Sequence, residues 1–202
     1  MNIINQEPLI CTIDKFLSNH DCIHFINYAD GKLQRGKGAN FKNILIRTGS
    51  TTFIPKDNDE ITKNLVARTS FLCGLSHLNL ENLQIGNYKE GEFYGYHYDS
   101  FDKLGNPNHR KIGFRQRIFT AMIYLNTPKK GGKTRFSKLN IEISPKRGKL
   151  LLFSNIKCGT QNLNEESLHS GLPVINGEKW ILTLWFNSFT LSKLIKNKFK
   201  LK

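Results

Sequence analysis

The second half of this 202-residue chain is a succession of short segments rich in β-branched and aromatic residues, and each is followed by a turn. Many short strands with glycine-containing turns are typical of a β-sandwich or jelly roll, whose open end is a natural place for a small-molecule site. Two nearly continuous apolar runs, RIFTAMIYL and KLLLF, are expected to be central strands. The predicted strands are LQIGNY, FYGYHYD, RIFTAMIYL, IEIS, KLLLF and WILTLWF.

The first third of the chain carries two helical patterns. Ser18 can cap a first helix, and Gly31 stands where that helix would end. Its apolar positions recur at helical spacing, at Cys22, Phe25, Ile26 and Ala29. A second amphipathic pattern follows Pro55, after acidic residues that suit a helix N-terminus. Its apolar positions are Ile61, Leu65, Leu72 and Leu75.

The length suits one substantial core and is short for two. We predict a single domain over residues 1–202, of the α+β or mainly β class. Helical support at about residues 14–75 would pack on one side of a jelly-roll core at about 83–190, and residues 191–202 would form a basic tail. No apolar run approaches the ~20 residues that span a bilayer, and no secretory signal pattern opens the chain. We therefore expect a cytoplasmic protein without a membrane segment.

The chain is strongly basic, with a formal net charge of +14. This charge favours an acidic partner, either nucleic acid or an acidic polypeptide, but solubility alone explains it equally well. The cysteines are scattered and form no Cys-x-x-Cys pair, so neither a zinc site nor a disulfide framework is indicated. We expect buried or incidental thiols in a reducing compartment. The cysteines are Cys11, Cys22, Cys73 and Cys158.

A His-x-Asp motif at His97 and Asp99 is the first candidate site. Residues two apart on a strand point to the same side, so these two side chains can converge while Tyr98 points away. His169 follows much later, in a polar loop that leads into a β-prone strand. Two imidazoles and one carboxylate can occupy one face of Fe(II) and leave the opposite positions open. The motif therefore indicates a non-haem iron site.

Lys179 lies on the strand that follows His169. Alternate residues of this strand share one face, so the lysine can point into the interior that the candidate ligands line. A buried ammonium group is costly unless an anion meets it, which predicts an acidic ligand. The residues on this face are Lys179, Ile181, Thr183 and Trp185.

Two polar stretches are expected to be loops. Residues 32–42 are rich in Gly and Lys and precede a predicted strand, NILIRTG. The longer stretch, SFDKLGNPNHRKIGFRQ, separates Asp99 from Arg117. It is too long for a simple hairpin and lies beside the candidate ligands, so we predict a lid or substrate loop.

Taken together, these segments resemble the prolyl 4-hydroxylase family of the Fe(II)/2-oxoglutarate-dependent dioxygenases. The resemblance covers most of the chain, with matching blocks in the same order. Enzymes of this family have a double-stranded β-helix core with helices on one side, which agrees with the helix-then-strand order. The blocks are PLICTIDKFLSNHDC, IRTGS, YKEGEFYGYHYDSFD, RIFTAMIYLN, GGKTRF, SPKRGKLLLF and SLHSGLPVINGEKWILTLW.

The resemblance assigns roles by position. The iron ligands would be His97, Asp99 and His169. The groups around the distal carboxylate of 2-oxoglutarate would be Lys179, Tyr88 and Thr134. The residues near the peptide proline would be Tyr94, Arg117 and Trp185. In GGKTRF, Lys133 replaces the acidic residue usual in the family, which would add basic charge near the cosubstrate entrance.

The function implied by the resemblance is hydroxylation of peptidyl proline at C4, with release of succinate and CO2. Fe(II), 2-oxoglutarate and O2 would be required, and ascorbate, which commonly rescues oxidised iron in this family, would be a further cofactor. The expected partner is a proline-containing peptide or protein, with an acidic one favoured by the charge. Nucleic acid and membrane are not expected partners, and the sequence does not set the oligomeric state.

Two other functions stay open from the residues alone. One is a 2-oxoglutarate oxygenase that acts on another residue or on nucleic acid, although nucleic-acid demethylases place arginines on the strand that here carries Lys179. The other is a non-catalytic basic module that binds nucleic acid, which no RNA-binding aromatic signature or zinc-finger spacing supports. Ordinary structural roles also remain, with Tyr88, Tyr94 and Trp185 as core aromatics and Arg117 as a solvated strand end.

Overall fold

Two antiparallel sheets dominate the computed structural model, which describes residues 1–35, 47–101 and 116–188. In chain order the strands are β1 (Asn2–Gln6), β2 (Leu9–Ile13), β3 (Gln34–Arg35), β4 (Ser50–Ile54), β5 (Leu83–Tyr88), β6 (Tyr94–His97), β7 (Arg117–Tyr124), β8 (Lys130–Gly131), β9 (Thr134–Phe136), β10 (Ile141–Ile143), β11 (Leu150–Ser154), β12 (His169–Gly171), β13 (Val174–Asn176) and β14 (Lys179–Asn187). The larger sheet has the order β1-β2-β11-β7-β14-β5-β4-β3 and the smaller one β10-β9-β12-β6, while β8 pairs with β13.

Two helices, α1 (Asn19–Ala29) and α2 (Glu60–Cys73), lie between the strands of the first half. The Ser18 hydroxyl accepts a hydrogen bond from a backbone N–H of the first turn of α1, and the Asp59 carboxylate does the same for α2. Gly74, with a φ of 64°, ends α2 in the left-handed conformation. Both predicted helices are confirmed.

The larger sheet buries a separate hydrophobic cluster on each face. Leu150 and Leu152 pack among the apolar side chains of the two helices, whereas Leu151 and Phe153 point to the opposite face. On that face they pack with side chains of the smaller sheet such as Phe136. Because successive strand residues alternate between faces, a strand that is covered on both sides needs a continuous apolar run. The central position of β7 and β11 and the mainly β fold class with helices on one side are confirmed.

The N-terminal segment forms a strand pair that the sequence pattern did not indicate. β1 and β2 pair antiparallel, and β2 continues the larger sheet by pairing with β11. The polar residues of NIINQ leave no alternation to detect, and β1 is held in the sheet by β2, which in turn pairs with β11. Of the predicted strand NILIRTG only residues 47–49 are described, and there Arg47 forms an isolated β-bridge with Tyr94 before β4 begins at Ser50.

Several predicted features fall on residues outside the described ranges. They are most of the lid or substrate loop (102–115), the basic tail (within 189–202) and most of the loop and strand predicted before β4 (36–46). Among the described helices, none has the length and apolarity needed to cross a membrane. All four cysteines are free thiols.

Candidate active site

A cavity between the two sheets brings together the side chains that the sequence motifs singled out. It contains about 540 Å³ of empty space, including its open mouth. All but one of the predicted site residues line it, the exception being Arg117. The lining residues among those predicted are His97, Asp99, His169, Lys179, Tyr88, Thr134, Tyr94 and Trp185.

His97, Asp99 and His169 lie close enough together to share one metal ion. β6 ends at His97, β12 begins at His169, and the two residues pair directly across these strands. The Nε2 atom of His97 is 3.7 Å from Oδ1 of Asp99, and the Nε2 atom of His169 is 3.8 Å from Oδ2. One ligand atom from each residue lies within 4.8 Å of the others, so an ion placed among them contacts all three.

Backbone carbonyls orient both imidazole rings. The Nδ1 atom of His97 is 2.8 Å from the Gly95 carbonyl oxygen, and that of His169 is 2.9 Å from the Ser167 carbonyl oxygen. A carbonyl can only accept a hydrogen bond, so each Nδ1 carries the proton and donates it. The lone pair of each Nε2 therefore faces Asp99 and is free to bind a metal.

The protonation states also suit a divalent cation. Burial, followed by the charge of His169, lowers the pKa of His97 to about 3. Burial alone would raise the pKa of Asp99, but His169, His97, Arg117 and the Thr120 hydroxyl outweigh it and lower that pKa. His97 thus offers a neutral imidazole nitrogen, and Asp99 a carboxylate oxygen, at neutral pH. This donor set fits Fe(II) with open positions.

Thr120 and Asn155 lie behind Asp99 and were not predicted from the sequence. The Thr120 hydroxyl donates to Oδ2 of Asp99 at 2.7 Å, and the Asn155 amide donates to the Thr120 hydroxyl at 2.9 Å. The sequence signals for them were weak: Thr120 is a polar residue within an apolar run, and Asn155 lies two residues after the end of another.

Lys179 is 3% exposed and points into the same cavity, as the strand pattern predicted. Burial lowers the pKa of its ammonium group to about 7. Within the described ranges, no carboxylate lies within ion-pair distance of its Nζ. An anionic ligand would therefore relieve the desolvation cost of this group.

Space for such a ligand exists beside the ammonium group. A Cβ added to Gly171 would lie 3.7 Å from Nζ of Lys179, so the missing side chain leaves room there. Thr134 and Tyr88 also line the cavity, and both are buried. The Thr134 hydroxyl accepts a hydrogen bond from Tyr124 at 2.8 Å. Hydroxyls and an ammonium group facing one cavity suit a carboxylate.

Arg47 is a buried cavity residue that sequence reasoning missed. It is 6% exposed and donates hydrogen bonds to the Tyr88 hydroxyl at 3.1 Å and to Oε1 of Gln84 at 3.0 Å. Its guanidinium also lies 4.7 Å from the Tyr94 ring centroid, within cation–π range. A charged residue inside the apolar run NILIRTG was the available signal.

Tyr94 stacks on a metal-site imidazole. Its ring centroid is 3.6 Å from that of His97, with an angle of 14° between the planes. Desolvation raises the pKa of Tyr94 to about 12, so its hydroxyl stays protonated. The ring therefore forms one wall beside the predicted ligands.

Arg117 does not line the cavity, but it contacts Trp185, which does. Its guanidinium lies 3.9 Å from the Trp185 ring centroid and forms two 2.7 Å hydrogen bonds with Glu81. The interpretation of Arg117 as a simple solvated strand end is wrong, because the residue is engaged on both sides. The Nε1 of Trp185 is buried and has no hydrogen-bond partner among the described residues.

Lys133 does not enter the cavity. It is exposed and pairs with Glu142 at 2.9 Å, so part of the basic charge expected at the entrance is neutralised.

Gly49 is required for the position of Tyr88. An added Cβ would lie 2.6 Å from the Asn87 carbonyl oxygen and 2.5 Å from the Tyr88 ring. Because backbone cannot yield as a flexible side chain can, Gly49→Ala should cost about 1–3 kcal/mol of unfolding free energy, as measured by urea denaturation. Ser50→Ala at the next position is the control and should change it by less than about 1 kcal/mol. Equal stabilities of the two variants would contradict the close packing.

Comparison with known proteins agrees with this geometry. The family model of the 2OG-Fe(II) oxygenase superfamily matches residues 83–187. "Probable prolyl 4-hydroxylase 8" of Arabidopsis thaliana is 32% identical, over 93% of this chain and 71% of the relative. Prolyl 4-hydroxylase 5 of the same plant is 31% identical, again over 93% of this chain and 71% of the relative. The chain belongs to the prolyl 4-hydroxylase family of the 2OG-Fe(II) oxygenases.

A solved structure supports the fold. The viral collagen prolyl hydroxylase of Paramecium Bursaria Chlorella virus-1, in complex with 2-oxoglutarate, superposes with a TM-score of 0.72 at 30% identity. The match covers 89% of this chain and 96% of that one. The predicted jelly-roll fold, family and enzyme class, a 2-oxoglutarate-dependent dioxygenase, are confirmed. Membership in this superfamily implies Fe(II), 2-oxoglutarate and O2.

Proposed function

We propose that this protein is a prolyl 4-hydroxylase that uses Fe(II), 2-oxoglutarate and O2 to hydroxylate peptidyl proline at C4, with release of succinate and CO2. The observation that carries the proposal is the shared cavity of a two-histidine, one-carboxylate cluster and a buried lysine. Relatives named prolyl 4-hydroxylase, matched over most of the chain, support proline as the target.

His97, Asp99 and His169 would hold the iron. Both imidazoles already have their Nδ1 protons engaged by backbone carbonyls, so no reorientation of the rings is needed on binding. The bound metal and 2-oxoglutarate supply the oxidising chemistry, in which the cosubstrate is decarboxylated and one oxygen is delivered to the substrate. The protein then has to bind, orient and shield the reactants.

Lys179 would bind the distal carboxylate of 2-oxoglutarate, with the hydroxyls of Tyr88 and Thr134 nearby. An ammonium group with a pKa lowered to about 7 is partly neutral in the empty cavity. A bound carboxylate would restore its charge and form a buried ion pair. Binding would therefore take up protons near neutral pH.

Tyr94 and Trp185 would form the aromatic walls for the peptide proline, and Arg117 would hold the Trp185 ring from behind. The Nε1 of Trp185, which has no hydrogen-bond partner in the described part of the chain, can donate a hydrogen bond to a peptide carbonyl. Aromatic walls also exclude water from the reacting carbon.

Three further features belong to this proposal. Ascorbate would keep the iron reduced during turnover without peptide. The net charge of +14 favours proline-containing substrates with acidic residues. The free cysteines are compatible with the reducing cytoplasm as the compartment.

The proposal is tested by incubating the protein with Fe(II), 2-oxoglutarate and ascorbate and with poly-proline, Pro-Ala-rich or collagen-like peptides. Mass spectrometry should find one added oxygen on proline, with succinate formed in proportion. A matched peptide with alanine in place of each proline should gain none. Oxygen on lysine or asparagine would contradict proline as the target. Salt-sensitive binding of RNA or DNA without 2-oxoglutarate turnover would favour the basic binding module instead.

A further inference from the structure

A buried hydrogen-bonded chain lies behind the carboxylate of Asp99. Thr120, on β7, is 1% exposed and donates to Oδ2 of Asp99 at 2.7 Å. Asn155, just after β11, is fully buried and donates from Nδ2 to the Thr120 hydroxyl at 2.9 Å. Three elements of the fold thus meet at one carboxylate.

Asn155 sets the direction of the hydroxyl hydrogen bond. An amide NH2 can only donate, so the Thr120 oxygen accepts from Asn155 and its single proton is available for Asp99. The Asp99 carboxylate consequently accepts a hydrogen bond from the Thr120 hydroxyl instead of being repelled by a lone pair of that oxygen. Such a hydrogen bond to an ionised acceptor is stronger than a neutral one.

Asp99 depends on this support because it lies beyond the end of β6, which stops at His97. By contrast, Asn155 is anchored by its backbone, since its N–H donates to the Ile118 carbonyl at 2.9 Å and its carbonyl accepts from Asn164 at 3.0 Å. The chain therefore connects a less constrained carboxylate to rigid backbone.

We propose that Thr120 and Asn155 are positioning residues for the metal site. They hold Oδ2 of Asp99 so that Oδ1, on the side of His97, is presented to the metal and the carboxylate binds through one oxygen. A carboxylate that binds through one oxygen leaves a further metal position open for the cosubstrates. This inference rests on the proposed function, because it assigns these residues a role in the same metal site.

A purely structural role does not account for Asn155. Its Oδ1 is buried and has no hydrogen-bond partner among the residues that the structure describes. A buried acceptor without a hydrogen bond lowers the free energy of unfolding by about 1–3 kcal/mol. An apolar residue of similar volume should therefore leave the metal-free protein as stable as before, or more stable, while it weakens the metal site.

The experiment measures Mn(II) affinity of the metal-free protein by titration calorimetry, the visible spectrum of the Co(II) form, and thermal unfolding without metal. Thr120→Val and Asn155→Leu remove the chain, whereas Thr120→Ser keeps the hydroxyl. The matched control is Thr69→Val. Thr69 is a buried threonine on α2 whose hydroxyl donates a hydrogen bond to the Leu65 carbonyl.

We expect Thr120→Val to weaken Mn(II) binding roughly 10- to 100-fold and to change the Co(II) spectrum, with near-normal binding in Thr120→Ser and Thr69→Val. Asn155→Leu should weaken binding without lowering the unfolding temperature. The inference would be overturned if Thr120→Val bound Mn(II) with wild-type affinity. It would also be overturned if each variant lost Mn(II) affinity only in proportion to its lost thermal stability. Neither result would contradict the proposed function. Wild-type protein that binds no Mn(II) would refute both.

Discussion

Replacement of Asp99 by alanine should reduce Fe(II)-dependent succinate formation at least about 10³-fold, equivalent to about 4 kcal/mol. The carboxylate is the one anionic group among the three candidate ligands, and its removal leaves only two imidazoles to bind a dication. Succinate release and Mn(II) binding, measured on the same preparation, would report the loss of metal directly.

The matched control is Asp57→Ala, which removes an exposed carboxylate from the turn before α2. It should retain wild-type succinate formation and metal affinity. Unchanged succinate formation in Asp99→Ala would exclude this carboxylate as a metal ligand, and with it the proposed site.

Replacement of Lys179 by methionine should have opposite effects on stability and on cosubstrate binding. Loss of the ammonium group breaks the ion pair expected with 2-oxoglutarate, which costs about 3–5 kcal/mol for a buried pair. The KM for 2-oxoglutarate should therefore rise roughly 150- to 5,000-fold. The metal-free variant should be more stable than wild type at pH 7, by roughly 1–4 kcal/mol, because no charge is buried.

The pH dependence follows from the lowered pKa. In the unfolded chain Lys179 is protonated up to its usual pKa of 10.5, whereas in the folded, metal-free protein it loses its proton near pH 7. The unfolded state binds more protons between these values, so the stability of wild type should rise with pH across this window. Urea unfolding at several pH values should show this rise in wild type and its reduction in Lys179→Met.

Lys130→Met, at an exposed lysine of β8, is the control for loss of positive charge. It should leave both the KM and the stability near wild type. A KM for 2-oxoglutarate that is equally affected in the two variants would refute a specific contact with Lys179.

Sequence periodicity predicted the helices and the central strands well because these elements are defined locally. Capping at Ser18 involves neighbours three residues apart, and the apolar runs of β7 and β11 directly reflect cover on both faces. The N-terminal pair β1 and β2 was missed because it is stabilised by pairing with β11, about 140 residues away in the chain.

The candidate site was predictable where the residue type itself carries the chemistry. Two histidines, an aspartate and a lysine at particular spacings indicate metal and anion binding before any distance is known. Arg47 and Asn155 were not predicted, because a single polar residue near an apolar run is usually only a strand end or a surface position. What distinguishes them is their partners, Gln84 and Thr120, which lie 37 and 35 residues away.

The two helices, the central strands, the ligand types and the inward face of the last strand were thus determined by the sequence alone, because periodicity and side-chain chemistry are local properties. Only the tertiary structure decided which nitrogen of each imidazole faces Asp99, how deeply Lys179 is buried, and that Thr120 and Asn155 support the carboxylate. These features depend on strands that pair across long stretches of chain, and hydrogen-bond direction and desolvation exist only once that pairing has formed.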